Sequence, residues 1–168
     1  MFLVCPAIFD YQKGTSSTSK LALRDWPIKS WNHLIYLLEE KKLVFNIITT
    51  KNLKKNFKTQ NDNIICPSNL NDLFEYIKNA DLILTQDSGF MHIARYFKKK
   101  VIVLFGPTNP YIFTGGNEIV IRDSNLKCSP CHDGRNFTNC NDNACMKSIQ
   151  PEYVYRVVLE VMQSLKIN

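Results

Sequence analysis

Asp87, Ser88, Gly89 and His92 fall within six positions of one another in the stretch TQDSGFMHIA, Thr85 to Ala94, directly after the apolar run Leu82-Ile83-Leu84. An oxygen of Asp87 or Ser88 is placed to cap a helix running from about Gly89 to Phe97, and the free N–H groups and positive dipole end of that helix attract anions. Gly89 carries no side chain to hold a phosphate away, Ser88 adds a hydroxyl donor, and His92 on the first turn can reach the same oxygens. The same residue types also suit a plain cap with a buried histidine. A second stretch, FGPTNP from Phe105 to Pro110, follows the next apolar run, and its Gly106 and prolines make a rigid turn that offers Thr108 and Asn109 as short polar groups. Two such loops leaving neighbouring strands flank one crevice, which favours an anion site over a simple cap.

Cys128, Cys131, Cys140 and Cys145 form a C-x2-C-x8-C-x4-C pattern in a loop, 122–149, rich in Asn, Asp and Gly. Four thiols so spaced can hold a tetrahedral zinc or iron ion, or pair as two disulfides, or stay reduced. Cys5 and Cys66 sit in apolar strands and read as core thiols.

The elements that must position these residues follow from periodicity. Phe2 to Cys5, Leu43 to Ile48, Asn63 to Cys66, Leu82 to Leu84, Val101 to Phe105 and Glu118 to Ile121 read as short strands. Trp31, Leu34, Ile35 and Leu38 repeat at helical spacing, as do Leu70, Leu73, Phe74 and Ile77, and then Val154, Val157, Val158 and Val161. Ser68 or Asn69 can cap the second of these helices, and Pro151 with Glu152 suits the first turn of the last. Strands alternating with helices through short connections predict an α/β fold with a doubly wound, mostly parallel sheet. Ligands of such sheets sit beyond the carboxyl ends of the strands, where Thr15 to Arg24, Thr85 to His92 and Gly106 to Pro110 all emerge.

The 168 residues, 45% of them hydrophobic, suit a single domain over 1–168. A net charge of +6 comes from lysines scattered over helix faces and loops, such as Lys41-Lys42, Lys54-Lys55 and Lys98 to Lys100, with no aromatic-basic interleaving. A solvated basic surface is expected, and a nucleic-acid partner is not. No run reaches the roughly 20 apolar residues of a membrane span, and no basic region precedes Met1-Phe2-Leu3-Val4 as in a signal peptide. The expectation is a cytoplasmic protein with at most peripheral membrane contact and mostly reduced cysteines.

Three segments resemble a known family. TQDSGFMHIARYFKKKVIVLFGPTNP is similar to the signature of the glycosyltransferase family 9 enzymes, the ADP-heptose:lipopolysaccharide heptosyltransferases, in which D-[ST]-G-x-x-H-x-A leads through a strand to a GPT-x-P turn. Upstream, RDWPIKSWNHL, Arg24 to Leu34, resembles the family's K-x-W-P-x-x-x-W-x-x-L segment, with Arg24 at the lysine position. The segments keep the family's order over most of the chain.

That resemblance implies the Rossmann-like, carboxyl-terminal half of a GT-B fold, the half that binds a nucleotide-sugar such as ADP-heptose. It implies that Asp87, Ser88, Gly89 and His92 hold diphosphate and sugar, that Arg24 adds positive charge and the Ser19 region adds hydroxyls, and that Ser68 lies near the nucleoside. Gly106 and Thr108 would form the opposing turn. Two departures stand out. Arg24 presents a planar fork where the family has a point donor, and Ile48-Thr49-Thr50-Lys51 replaces the usual glycine-rich turn and nearby acid. Family members also carry an amino-terminal domain that binds the acceptor and supplies a carboxylate base. Either such a half is a separate chain, or the sequence is a fragment or remnant, or the domain is a non-catalytic nucleotide-sugar-binding module. No cofactor is expected for transfer. The related autotransporter heptosyltransferases hold iron with cysteines in the region of Cys128 to Cys145, which makes structural iron or zinc an expectation here too.

Overall fold

The structure is a computed structural model that describes residues 1–6, 23–132, 140 and 142–166. Six strands, β1 (Phe2–Cys5), β2 (Phe45–Ile48), β3 (Ile64–Ile65), β4 (Leu82–Gln86), β5 (Lys100–Leu104) and β6 (Ile119–Ile121), form one sheet. Their order is β3-β2-β1-β4-β5-β6, and every pairing is parallel. The α-helices among the described residues are α1 (Ile28–Glu40), α2 (Leu70–Lys78), α3 (Gly89–Tyr96), α4 (Pro110–Phe113), α5 (Ala144–Lys147) and α6 (Pro151–Leu165).

Strand residues alternate between two buried layers, as a sheet covered on both faces requires. Phe2, Val4, Leu82, Leu84, Ile102 and Leu104 pack with Trp31, Leu34, Leu38, Val154 and Val158 of α1 and α6. Leu3, Cys5, Ile83, Val101 and Val103 face the other way, toward Ile77, Met91 and Ala94 of α2 and α3. The strand order turns back between β1 and β4, so the loops leaving their carboxyl ends diverge and open a crevice at that point. Register there sets Cys5 opposite Thr85, and Gln86 opposite Leu104.

The helical stripe expected on α1 is buried, and that on α6 is buried at Val154, Val158 and Val161, with Val157 only half-buried and Met162 added. The α2 stripe is only partly so: Ile77 is buried, but Leu70 is 64% exposed. Leu70 and Leu73 instead line a cavity of about 340 Å3 at the carboxyl ends of β1 to β3, together with Pro6, Thr49, Thr50, Pro67, Asn69 and Phe90. Of the two caps expected for α2, Asn69 fills the role, accepting from the Asp72 N–H at 3.0 Å, while Asp72 Oδ2 accepts from the Ser68 N–H at 3.2 Å. The short α4 and α5 lack a periodic stripe and escape a reading by period. Among the described residues no helix is long and apolar enough to cross a membrane.

Candidate functional site

Beyond the carboxyl end of β4 the ladder runs one step further, the Asp87 N–H donating to Leu104 O at 3.1 Å. This holds the Asp87 carboxylate at the mouth of the crevice, 4% exposed. Its Oδ2 accepts from Thr108 Oγ1 at 2.7 Å and pairs with Arg24 Nη1 at 3.2 Å. Two residues from two other segments of the chain therefore converge on one oxygen of Asp87. Asp87 does not cap α3, contrary to one of the two expectations from sequence, because this oxygen is taken by side chains. Ser88 occupies the cap position with extended backbone but makes no side-chain cap bond; its hydroxyl lies 3.2 Å from Thr85 Oγ1, which donates to Cys5 O. The first turn of α3 thus keeps N–H groups without a capping side chain, and such groups hold anions.

Gly89 is exposed, and a Cβ built there meets nothing within 4 Å. A ligand can approach this backbone closely. His92 is exposed one turn on, and its Nδ1 lies 3.1 Å from Arg95 Nη2. A guanidinium only donates, so in the neutral ring Nδ1 accepts and the proton resides on Nε2, which is left as a donor. Arg95 is itself fixed by Phe113 O at 2.9 Å. Arg24 Nε is buried without a hydrogen-bond partner among the described residues, leaving donor capacity beyond the Asp87 contact.

The Gly106–Thr108 turn does not face Asp87 across open space, since Thr108 bonds to it directly. Gly106 is accounted for by packing: a Cβ there would lie 2.5 Å from Met146 Sδ and 2.9 Å from Cys145 Sγ. Gly106→Ala is expected to lose about 1–3 kcal/mol by overpacking this buried contact. Urea unfolding measures it, and a midpoint unchanged from the parent would show that α5 shifts freely. Ser68 is exposed and stands beside Pro67 and Asn69 at the rim of the 340 Å3 cavity. Ser19 lies outside the described residues.

The segment carrying Arg24 is anchored by residues that a motif reading passes over. Gln86 Oε1 accepts from the Trp26 N–H at 3.0 Å, and Gln86 Nε2 donates to Asp25 Oδ1 at 2.8 Å. Trp26 stacks edge-on against Trp31, ring centroids 4.8 Å apart, and its indole N–H donates to Ile149 O at 3.0 Å. The one hint in the sequence is a glutamine closing a strand that is otherwise apolar apart from Thr85.

The cysteine loop docks on the same turn. Ser129 Oγ donates to Gly106 O at 2.7 Å, and the N–H groups of Cys131 and His132 both donate to Pro107 O, at 2.8 and 2.9 Å. Cys128, Cys131, Cys140 and Cys145 are free thiols, Cys128 exposed and Cys145 buried. The Cys145 thiol is pushed up to about 11, first by burial and then by the thiolates of Cys131, Cys140 and Cys128 nearby. Yet among the described residues no group of three or more His, Cys, Asp and Glu side chains is arranged to hold a metal ion. The expected ligand set is not assembled among the described residues.

Comparison with known proteins places this geometry. A family model described as glycosyltransferase family 9 (heptosyltransferase) matches residues 13–140. Lipooligosaccharide heptosyltransferase 2 of Campylobacter jejuni subsp. jejuni serotype O:6 is 28% identical over 116 residues, which is 66% of this chain and 33% of that protein. Among solved structures, E. coli ADP-heptose lps heptosyltransferase II superposes with a TM-score of 0.68 at 16% identity, covering 98% of this chain and 47% of the other. The iron-containing dodecameric heptosyltransferase TibC of enterotoxigenic E. coli H10407, solved with ADP-D-beta-D-heptose, gives 0.65 at 14% identity, covering 98% and 45%. The chain therefore spans a third to a half of these proteins' lengths. The structural likeness shows the fold, and the family match over more than half of the sequence shows that the chain belongs to glycosyltransferase family 9.

Proposed function

We propose that this chain binds the nucleoside-diphosphate end of a nucleotide-sugar, ADP-heptose or a close relative, and serves as the donor half of an inverting heptosyl transfer to lipopolysaccharide or another glycan. The observation that carries the reading is the convergence at the β4 end. The start of α3, with Gly89 bare, the Arg24 guanidinium with a spare donor, and the Nε2 donor of His92 lie around the mouth of the crevice. Such donors gain most as a nucleoside diphosphate departs, because the leaving group acquires charge at the transition state. Asp87 and Thr108 act here as the frame that aims Arg24, and Gly106 as the seat of that frame. The apolar cavity beside Ser68 suits the nucleoside, with Thr49 and Thr50 at its edge. In support, TibC was solved with ADP-D-beta-D-heptose. Binding without turnover is the second reading, favoured by the commitment of the Asp87 carboxylate to Arg24 and Thr108. An acceptor domain would then be a separate partner in the first reading and unnecessary in the second.

Calorimetry with ADP tests the site. Loss of one charge-assisted contact in Arg24→Ala, or of the imidazole donor in His92→Ala, is expected to weaken binding about ten-fold or more, as 1.5–3 kcal/mol implies. Unchanged affinity in both folded variants would sink the assignment.

A structural zinc or iron at Cys128, Cys131, Cys140 and Cys145 is supported by their spacing and by the iron-containing relative. As placed, the four thiols do not fit an ion, so no step of the function passes through one. From this geometry, protein purified without chelators is expected to hold less than about a tenth of an equivalent of either metal, with the exposed Cys128 open to thiol reagents and the buried Cys145 slow to react. A near-stoichiometric yield of either metal would show that the loop closes around it.

A further inference from the structure

The main-chain carbonyl of Asp25 and the N–H of Trp26 belong to one planar peptide unit, the second after Arg24. Gln86 accepts from the N–H at 3.0 Å. On the other side, Asn143 Nδ2 donates to the Asp25 carbonyl oxygen at 3.1 Å. The unit is therefore clamped at both of its polar atoms, by side chains 57 residues apart in sequence (143 − 86). With that plane held, the backbone one residue beyond Arg24 is anchored, which narrows the directions from which the Arg24 side chain can leave toward Asp87.

Asn143 is itself held in an uncommon conformation. It precedes α5 in the left-handed region, φ 52° and ψ 36°, its N–H donates to Cys140 Sγ at 3.4 Å, and its Oδ1 lies 3.8 Å from Cys145 Sγ. Asparagine is among the few non-glycine residues that tolerate this region, and its amide supplies a donor that aspartate, similarly tolerant, lacks. The residue thus joins the cysteine loop to the wall of the crevice that carries the guanidinium. Ser129 and Cys131 join the same loop to the opposite wall at Gly106 and Pro107.

We infer that Asn143 is a positioning residue of the donor site, clamping the Asp25–Trp26 peptide so that Arg24 is aimed at the diphosphate. This rests on the nucleotide reading above. Asn143 touches no ligand itself; it acts through Arg24 alone.

The test uses Asn143→Gly, because glycine adopts the left-handed backbone without strain and so removes only the side chain. Asn143→Asp keeps the shape and conformation but sets a carboxylate oxygen against the Asp25 carbonyl. Both are expected to weaken ADP binding about three- to ten-fold, the range of one lost hydrogen bond, with aspartate the worse. Adenosine, which lacks the diphosphate, is expected to bind the parent and both variants alike. In an Arg24→Ala background, Asn143→Gly is expected to add nothing further, since the group it positions is gone. A loss of ADP affinity under two-fold, an equal loss for adenosine, or full additivity with Arg24→Ala would overturn the inference. A ligand-free readout separates its fate from that of the nucleotide reading. Trp26 is 1% exposed, and a loosened clamp is expected to raise acrylamide quenching of its fluorescence in Asn143→Gly. If the parent chain binds no ADP, the functional reading falls; quenching that stays at the parent value would then overturn the clamp as well.

Discussion

Release of ADP from ADP-heptose by this chain alone, offered a lipopolysaccharide-core acceptor, is expected to be slower by at least about a million-fold than release by the chain together with a matching amino-terminal half. Holding the acceptor hydroxyl against the anomeric carbon is worth up to roughly 10⁵–10⁸ in effective molarity, and a positioned base adds about 10²–10⁴. On the nucleotide-sugar reading proposed above, the site supplies donors for the leaving group. Among the described residues the carboxylate at its mouth is Asp87, which is 4% exposed and engages Arg24 and Thr108 through Oδ2, so it is poorly placed to act as the base. Coupled detection of ADP, with and without the added half, is the measurement. Robust turnover by the chain alone, abolished by Asp87→Asn, would make Asp87 the base after all.

Asp87→Ala carries the second large effect, on stability. Removing the carboxylate strands a guanidinium that is only 19% exposed and leaves the buried Thr108 hydroxyl without its acceptor. Breaking a buried pair from one side costs more than the pair contributed, and after allowance for the partial exposure of Arg24 the loss should be about 2–4 kcal/mol. For a domain of this size that corresponds to a fall in Tm of about 5–15 °C. Asp87→Asn retains an oxygen for Thr108 and should lose roughly half as much. Calorimetric unfolding distinguishes the cases, and an alanine variant melting within a degree of the parent would show that the pair is an accident of the surface.

Much of the scaffold was legible because local periodicity reports it. The α1 stripe from Trp31 to Leu38 and the six apolar runs each carry their own evidence of burial, and a doubly wound, mostly parallel sheet follows from their alternation with helices. The β4–α3 corner was legible in its residue types but not in its bonding. That Asp87 would turn toward Arg24 and Thr108 and leave the helix uncapped depends on partners 63 and 21 positions away, which no local pattern encodes. Leu70 was misjudged for a related reason: helical spacing shows which residues share a face, not whether the facing surface is filled, and here it borders a cavity. Asn143 was invisible since a single amide side chain has no period at all, and Gln86 left only the hint of a polar residue closing an apolar strand. Cysteine spacing, likewise, fixes how far apart the thiols lie along the chain but not whether the backbone between them brings them into contact.

The place of β1 in the sheet has a consequence for how the molecule is made. Phe2 to Cys5 is buried throughout and forms the centre of the sheet, pairing with β2 and with β4, Phe2 against Phe45 and Leu82. During synthesis this strand emerges before both of its partners, the second of which follows about eighty residues later. Sheet closure therefore waits on long-range contacts, which slow folding and keep an apolar segment available to other chains in the meantime. Refolding should be slow and sensitive to protein concentration, and a chain trimmed of its first five residues should fail to close the sheet, since β2 and β4 meet only through the strand between them.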